Sequence, residues 1–375
     1  MKKVVVAIVG AFVLIAVMLV VFMICIINRG TVVNHDLVNN LKLINTQKVL
    51  MQNTDDLNIR VYTDEVEFLP SDSNELIIKE YKAFTPDKDE LITVTSQDNR
   101  IFVRAKKPIM NFFINRNRKG KVEIYLPSTY SSSLTVTTSS GTIKSELALQ
   151  LKDFSASSAS GSIRFNKLKA SDIDVSTSSG DINIQKAEGN RSISSASGTI
   201  KIFGGSGDSD ISTASGSIYI EKSIGRLQVQ SSSGDIRIDG SNGKKELNTS
   251  SGTIHVEDTI GEISAFSTSG ALKISASEGG GDFETSSGAI SIDVKKLTSS
   301  ISMSASSGDI KLTIPTDSIF EFSADTSSGR IKTDFDEVLT MDEHKKHANG
   351  MVGENPNLQI KTQTSSGNIS VFTTN

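Results

Sequence analysis

The chain has 375 residues, of which 37% are hydrophobic and 22% are charged, a balance typical of globular proteins that build a sizeable core. Its formal net charge of −4 gives no general attraction to nucleic acid. There is no Trp, and the single Cys lies in an apolar N-terminal segment. A disulfide framework and a multi-cysteine zinc site are therefore excluded.

The N-terminal segment predicts a membrane anchor. Residues 4–27 carry no charged or polar side chain, which is long enough for a helix to cross a bilayer. Lys2 and Lys3 precede this segment, so the positive-inside rule places residues 1–3 in the cytoplasm and the remaining chain outside. We therefore expect a single-pass signal anchor in the cell membrane. A cleaved signal peptide is the alternative, although no small-residue cleavage site follows the segment.

A Ser-Gly dipeptide repeats along the chain, with a period of 18 residues in the centre. Its central glycines are Gly180, Gly198, Gly216, Gly234, Gly252, Gly270 and Gly288, and looser copies have their glycines at 141, 161, 308, 329 and 367. Two residues after each central glycine comes an aliphatic residue, namely Ile182, Ile200, Ile218, Ile236, Ile254, Leu272 and Ile290. A second apolar position follows two residues later, which indicates a short strand with one buried face.

Each period contains a second half with its own apolar position and its own glycine. The second apolar positions include Val175, Ile193 and Ile211, and the second glycines include Gly189 and Gly207. Two strands per period, each followed by a turn, predict an all-β, single-stranded, β-helix-like solenoid of 18-residue coils. In such a coil, identical positions stack about 4.8 Å apart, so the Ile positions form one continuous core ladder. We expect the glycines to supply positive φ angles at the turns, and the Ser before each glycine to bond the turn backbone.

The segments outside the repeat divide the rest of the chain. Residues 28–45 read as a membrane-proximal spacer, and residues 46–135 as an N-terminal β cap, because they alternate in polarity but lack the Ser-Gly period. The repeats then occupy residues 136–334. Residues 335–375 read as a loop insertion followed by a final coil or C-terminal cap.

The outward positions of the coils form two charged columns. Three residues after the turn glycine, seven positions are basic and none is acidic: Lys144, Arg164, Lys201, Arg237, Lys273, Lys311 and Lys332. Five residues after it, six positions are acidic and none is basic: Glu146, Glu221, Asp239, Glu257, Asp293 and Asp334. The basic column is a candidate site for an anionic polymer, such as a wall polymer. The other interpretation, which the pattern favours, is that the two columns neutralise each other and keep the sheet soluble.

No residue pattern indicates catalysis, a cofactor or a metal. His344 and His347 stand three apart in a charged segment without further ligands nearby. Ser241 with Lys244 forms a lone Ser-x-x-Lys without the partner motifs of an acylating enzyme. We therefore predict no catalytic, cofactor-binding or metal-binding residues.

The repeat motifs resemble those of a known bacterial family. The matching sequences are KVEIYLP at residues 121–127, LTVTTSSGTI at 134–143, the SSGDI, SASGTI and SASGSI units, and IKTQTSSGNISV at 360–371. Over residues 46–375 the chain is similar to the bacterial "putative adhesin" family of β-strand repeat proteins, the domain of unknown function 4097. The resemblance implies an envelope-associated, non-enzymatic β-solenoid, and it carries over no functional residue.

These observations lead to one main functional hypothesis and two others. The first is a non-enzymatic, membrane-anchored surface protein whose solenoid serves adhesion or the binding of envelope or extracellular components, with anionic wall or surface polymers and another envelope protein as candidate partners. The second is an envelope-stress sensor or regulatory partner of a membrane protein. A polysaccharide-cleaving β-helix enzyme is the least favoured, because no set of acid and base groups is evident. The oligomeric state is not predicted.

Overall fold

The computed structural model describes residues 41–62, 64–86, 90–106 and 120–374. The predicted anchor at residues 4–27 and most of the predicted spacer at 28–45 lie outside these described residues. Within the described part of the chain, no helix is long and apolar enough to span a membrane. The described chain forms one sheet system of 32 strands, which confirms the predicted all-β fold.

The strands fall into three consecutive groups along the chain. The N-terminal group is β1 (Lys42–Leu50), β2 (Asp56–Arg60), β3 (Glu65–Ser71), β4 (Glu75–Lys82), β5 (Thr93–Gln97), β6 (Arg100–Arg104) and β7 (Gly120–Pro127). The repeat group is β8 (Ser133–Thr138), β9 (Ile143–Gln150), β10 (Asp153–Ser158), β11 (Ile163–Thr177), β12 (Ile182–Ser195), β13 (Ile200–Ile202), β14 (Gly205–Ser206), β15 (Ser209–Thr213), β16 (Ile218–Glu221), β17 (Ser223–Ile224), β18 (Leu227–Ser231), β19 (Ile236–Asp239), β20 (Lys245–Thr249), β21 (Ile254–Ile260), β22 (Ile263–Ser267), β23 (Leu272–Ser287), β24 (Ile290–Val294), β25 (Leu297–Ser307) and β26 (Ile310–Pro315). The C-terminal group is β27 (Phe320–Thr326), β28 (Ile331–Thr333), β29 (Leu339–Met341), β30 (His347–Val352), β31 (Gln359–Ser366) and β32 (Ile369–Thr374).

Two parallel ladders run the length of the solenoid, one on each face. The first ladder pairs the strands that follow the Ser-Gly turns, and Ile218 stacks on Ile200 on one side and on Ile236 on the other. The second ladder pairs the strands of the other half-coil, and Ile211 stacks between Ile193 and Val229. The long strands β11, β12 and β23 contribute to both ladders. This architecture is the predicted two-strand coil, and it buries a continuous aliphatic core.

The core consists of the inward side chains of both ladders. The seven predicted core residues, Ile182, Ile200, Ile218, Ile236, Ile254, Leu272 and Ile290, are all completely buried. The second ladder buries its own apolar residues against them, including Ile211 and Val229. Burying a large aliphatic side chain contributes about 1.5 to 3 kcal/mol, so the repeated ladder is the main source of stability.

The parallel ladders extend into the segment that the sequence assigns to the cap. Val66 of β3 pairs with Ile143 of β9 and, on its other side, with Val122 of β7. On the second face, Leu57 of β2 pairs with Leu134 of β8 and with Ile101 of β6. The alternating strands within residues 46–135 therefore include coil strands, although they lack the Ser-Gly turn.

The coils at the C-terminal end do not stack in chain order. The coil that contains β31 and β32 lies between the coil of β25 and β26 and the coil of β27 and β28. The sequence implied that the unit at Gly329 follows the unit at Gly308 directly, and this order is wrong. The physical reason is the insertion between β28 and β31, which allows the later segment to return and stack inside.

Antiparallel strands cover the outer edges at the N-terminal end and the edge of β27 at the C-terminal end. At the N-terminal end, β4 pairs with β7, β1 pairs with β4, and β5 pairs with β6. At the C-terminal end, β30 pairs with β27, and β29 pairs with β30. Because an open parallel edge would pair with other strands, these antiparallel additions protect the ends of the ladder.

The Ser-Gly glycines are required for close approach, not for positive φ. A Cβ at Gly198 would overlap the carbonyl oxygen of Gly180 in the neighbouring coil, and the same conflict recurs along the Ser-Gly turns. Positive φ angles occur instead at the second-half glycines, such as Gly207 with φ 115°. The expectation of positive φ was therefore wrong for the Ser-Gly turns and correct for the second set.

The turn backbone is bonded by a hydroxyl three residues before the glycine. Thr177 Oγ1 accepts a hydrogen bond from Gly180 N at 3.1 Å and donates one to Gly161 O at 3.2 Å. The Ser immediately before the glycine, such as Ser197, is exposed, and its backbone N–H bonds a neighbouring coil. The expectation that the Ser directly before the glycine makes this bond was therefore wrong, although the sequence shows a Ser or Thr column three residues before the glycine: Thr138, Ser158, Thr177, Ser195, Thr213, Ser231, Thr249, Ser267, Thr285, Thr326 and Thr364.

Candidate functional site

The predicted basic column forms one ladder of outward side chains, here called the basic ladder. In stacking order its positions are Lys144, Arg164, Asn183, Lys201, Tyr219, Arg237, His255, Lys273, Ser291, Lys311, Ser370 and Lys332. Each position is the direct register partner of the next. All the Lys and Arg side chains except Lys144 are exposed. The fold therefore brings every predicted residue of this site onto one face.

From Arg164 onward, a cation occupies every second coil. The cations are Arg164, Lys201, Arg237, Lys273, Lys311 and Lys332, and one uncharged or His residue separates each from the next. Neighbouring parallel strands lie about 4.8 Å apart, so successive cations are about 10 Å apart along the axis. In chain order, Lys311 and Lys332 occupy successive units. The reversed stacking of the last two coils inserts Ser370 between them and maintains the alternation.

Lys144 forms its ion pairs with carboxylates of β3, at the N-terminal end of the solenoid. Its Nζ lies 2.9 Å from Glu65 Oε1 and 3.5 Å from Glu67 Oε1. The hydrogen bond with Glu65 is the main reason that the pKa of Lys144 is raised. Lys144 is thus neutralised by the neighbouring coil, and the cations available to a ligand begin at Arg164.

Most of the alternating cations have no carboxylate partner. Arg237 is the exception, since its Nη2 lies 2.6 Å from Glu257 Oε2. For Arg164, Lys201, Lys273, Lys311 and Lys332, the described residues supply no carboxylate oxygen within 4.0 Å. Lys201 lies over the ring of Tyr219 and Lys332 over that of Phe372, with Nζ 5.5 and 5.6 Å from the ring centroids. The two columns therefore neutralise each other only at Arg237, and the other five cations remain available to bind a ligand.

Three of the six carboxylates of the second column lie beside neutral positions of the basic ladder, and three lie beside cations. Glu221, Glu257 and Asp293 share their strands with Tyr219, His255 and Ser291 respectively. Residues two apart on a strand point to the same face, so each of these carboxylates flanks a neutral position of the basic ladder. Beside the cations, the equivalent positions are mostly uncharged: Asn166, Phe203, Ser275 and Thr313, with Glu146, Asp239 and Asp334 as exceptions.

Two buried cations, which the sequence analysis missed, lie inside the solenoid. Arg191 Nη2 donates to Gly207 O at 2.9 Å and to Ser223 Oγ at 3.1 Å. Lys245 Nζ donates to Gly243 O at 2.7 Å and to Ile260 O at 2.9 Å. Burial lowers the pKa of Arg191 to about 10 and that of Lys245 to about 8. Arg191 and Lys245 stand at the same repeat position as Leu227, which points into the core. A cation at a position that is otherwise apolar or small was the sequence signal for a buried charge.

A basic concavity of about 730 Å³ lies at the C-terminal end of the solenoid. Arg330, His344, Lys345 and Lys346 line it together with Glu343. Lys346 Nζ donates to Ser327 O at 2.9 Å. Lys345 N donates to Asp342 O within the loop, and Lys345 O accepts a hydrogen bond from Ile331 N of the last coil. Lys346 thus bonds a carbonyl oxygen that the backbone of a further coil would bond if the solenoid continued. The loop therefore caps this end of the solenoid.

No arrangement suited to metal chemistry is found in the described part of the chain. It contains no group of three or more His, Cys, Asp or Glu side chains that could hold a metal ion. His347 Nδ1 instead lies 2.6 Å from Asp325 Oδ1 on the neighbouring strand. This contact gives His347 a structural partner across the sheet.

The fold and the basic ladder define a capped parallel β-solenoid with one charged face. The sequence matches the family model described as Toastrack DUF4097 over residues 54–225 and again over 220–372. The chain belongs to this family, as the repeat motifs implied. No curated protein matches the chain.

Two solved structures are similar over most of the chain. A "putative cell adhesion protein" from Clostridium sporogenes is 9% identical, covers 89% of this chain and 100% of its own, and has a TM-score of 0.28. A "putative adhesin" from Bacteroides fragilis is 16% identical, covers 88% of this chain and 97% of its own, and has a TM-score of 0.22. Similarity at this level does not extend to function.

Proposed function

We propose that the protein is a non-enzymatic component of the bacterial cell envelope that presents its solenoid to bind anionic polymers. The observation that carries this proposal is the basic ladder, which holds exposed cations in continuous register along one face. A row of like charges on a rigid scaffold attracts a linear polyanion over several contacts at once, so weak contacts add up to useful affinity.

The proposal includes anchoring through residues 4–27, with the solenoid outside the membrane. Support comes from the apolar composition of this segment and the two lysines before it. The test is protease digestion of an epitope in the repeat region on intact cells, with lysed cells as the control. Digestion on intact cells is expected, whereas protection of the epitope in a cell with a single membrane would contradict the topology.

Binding is tested with the full-length protein in neutral detergent and two acidic polysaccharides, hyaluronan and polygalacturonate. We expect binding of at least one polymer, weakening with added salt because the contacts are electrostatic. A variant that changes the six alternating cations to Gln should lose this binding. The matched control changes six exposed lysines on other surfaces to Gln and should retain it: Lys167, Lys186, Lys222, Lys244, Lys295 and Lys296.

Equal loss of binding in both variants would show that net charge alone matters and would reject the ladder as the site. If neither polymer binds and the protein instead captures one specific membrane protein, the regulatory-partner hypothesis replaces this proposal.

A further inference from the structure

The basic ladder alternates between two chemical types of side chain. Between its cations lie Asn183, Tyr219, His255, Ser291 and Ser370, each of which can donate or accept a hydrogen bond. Tyr219 is 37% exposed despite its size. A ligand that follows the axis therefore meets a cation and a neutral polar group on alternate coils.

Avoidance of stacked like charges does not account for this alternation. Glu221, Asp239 and Glu257 are direct register partners in the adjacent column, so three carboxylates stack on successive coils. Like charges at such positions are destabilising by a fraction of a kcal/mol, and the chain tolerates them.

From these observations we infer that the basic ladder binds a linear polysaccharide in which acidic and neutral sugars alternate. The inference rests on the proposed function and specifies its ligand. One pyranose unit of an extended glycan advances along its chain about as far as one coil advances along the solenoid. A carboxylate on every second sugar would then lie opposite a cation on every second coil, about 10 Å apart.

The flanking carboxylates fit the neutral sugar of such a repeat. Glu221, Glu257 and Asp293 lie beside Tyr219, His255 and Ser291, where the neutral unit would lie. Glu257 already bonds Arg237 and His255, so Glu221 and Asp293 are the carboxylates whose oxygens accept hydrogen bonds from sugar hydroxyls. The same carboxylates would repel a polymer that carries an acid on every sugar, so the surface selects by repulsion as well as by attraction.

The polysaccharide is assigned to the envelope that surrounds the proposed anchor. Only residues 28–41 separate the apolar segment from β1, which begins at Lys42. In the proposed topology a spacer of this length extends at most about 3.5 Å per residue, so the anchor would keep the solenoid tethered within the envelope.

The first experiment compares polymers of equal length on the full-length protein in neutral detergent. Hyaluronan carries one carboxylate per disaccharide, polygalacturonate carries one per sugar, and dextran carries none. We expect hyaluronan to bind about tenfold more tightly than polygalacturonate, despite its lower charge, and dextran not to bind. Equal or tighter binding of polygalacturonate would overturn the inference while leaving the proposed function intact.

The second experiment changes the phase of the ladder without changing its charge. The variant combines Lys273→Ser with Ser291→Lys, and Lys311→Ser with Ser370→Lys, all on the outward face of the first ladder. Its affinity for hyaluronan should fall about tenfold, and its affinity for polygalacturonate should not fall, since the number of cations is the same. Unchanged hyaluronan binding would overturn the inference. If the six-cation variant loses binding to every polymer while the phase variant binds like the natural protein, the result supports the proposed function and contradicts the alternating ligand.

Discussion

Ile331 stacks on Ile369 and not on Ile310, although Ile310 belongs to the preceding Ser-Gly unit of the chain. This relationship places the coil of β31 and β32 inside the solenoid and the coil of β27 and β28 at its end. It also determines which outward residues are neighbours, because Lys332 now follows Ser370 in the stack. The regular spacing of the basic ladder therefore depends on the order in which the coils stack.

The core ladder predicts unequal costs for inward and outward substitutions. Ile236 is completely buried, so Ile236→Ala should lower the free energy of unfolding by about 2 to 5 kcal/mol. Lys273 is exposed, so Lys273→Ala should cost well under about 1 kcal/mol. Urea unfolding of both variants measures this difference, and the reverse order would show that the faces are assigned incorrectly.

The Ser-Gly turns predict a large effect from a single added methyl group. Gly198→Ala should destabilise the protein by about 3 kcal/mol, because the new Cβ meets the carbonyl oxygen of Gly180 in the neighbouring coil. Ser197→Ala is the matched control, since Ser197 is adjacent and exposed and should change stability by less than about 0.5 kcal/mol. Comparable thermal melts for the two variants would contradict the close approach of the coils.

The buried hydroxyl column predicts a specific requirement for oxygen. Thr249 Oγ1 accepts from Gly252 N at 3.1 Å and donates to Gly234 O at 3.3 Å. Thr249→Val retains the shape but leaves the buried N–H of Gly252 without this acceptor, at a cost of about 1 to 3 kcal/mol. Thr249→Ser keeps the oxygen and should lose less stability in the same denaturant titration. Equal losses would mean that the methyl group, not the hydroxyl, matters.

The buried amine of Lys245 predicts a rise in stability with pH. Burial lowers the pKa of Lys245 from 10.5 to about 8 in the folded protein. Below a pH of about 8 the amine is protonated in both states, so the cost of burying the charge is fully present. Between about 8 and 10.5 only the unfolded chain keeps the proton, so the free energy of unfolding rises by up to roughly 3 kcal/mol.

Lys245→Met removes this titration and provides the control. Urea unfolding from pH about 7 to about 10 should show a rise for the natural protein that the variant lacks. Staying below pH 10 limits the contribution of Arg191, whose pKa is lowered to about 10. Parallel stability profiles for the two proteins would refute the prediction.

Much of the fold was predictable because each coil repeats the same pattern of inward apolar and outward polar residues. The Ile positions and their polar neighbours define inward and outward faces, and the 18-residue period makes them stack in register. The order of the last coils was not predictable, because Ile331 and Ile369 satisfy the same pattern and either could stack on Ile310. The role of Gly198 was also hidden, since both a turn and a close approach select glycine.

The candidate site was predictable as a set of residues, and its spacing was predictable except at the C-terminal end. The column already alternates in chain order from Arg164 as far as Lys311, whereas only the stacking order shows that Ser370 separates Lys311 from Lys332. Arg191 and Lys245 escaped detection for a different reason. A polar residue at an inward position looks like an interruption of the pattern until the backbone carbonyls that it bonds are known.

The interior position of β32 has a consequence for the order in which the coils can fold. Strands β27 and β28 precede β31 and β32 in the chain, yet they stack on them and not on the preceding coils. Until residues 359–374 join the solenoid, the outer edges of β25 and β26 lack their native partners. A chain that folds from its N-terminus therefore carries an open strand edge until this coil forms, and such an edge is prone to pair with other strands.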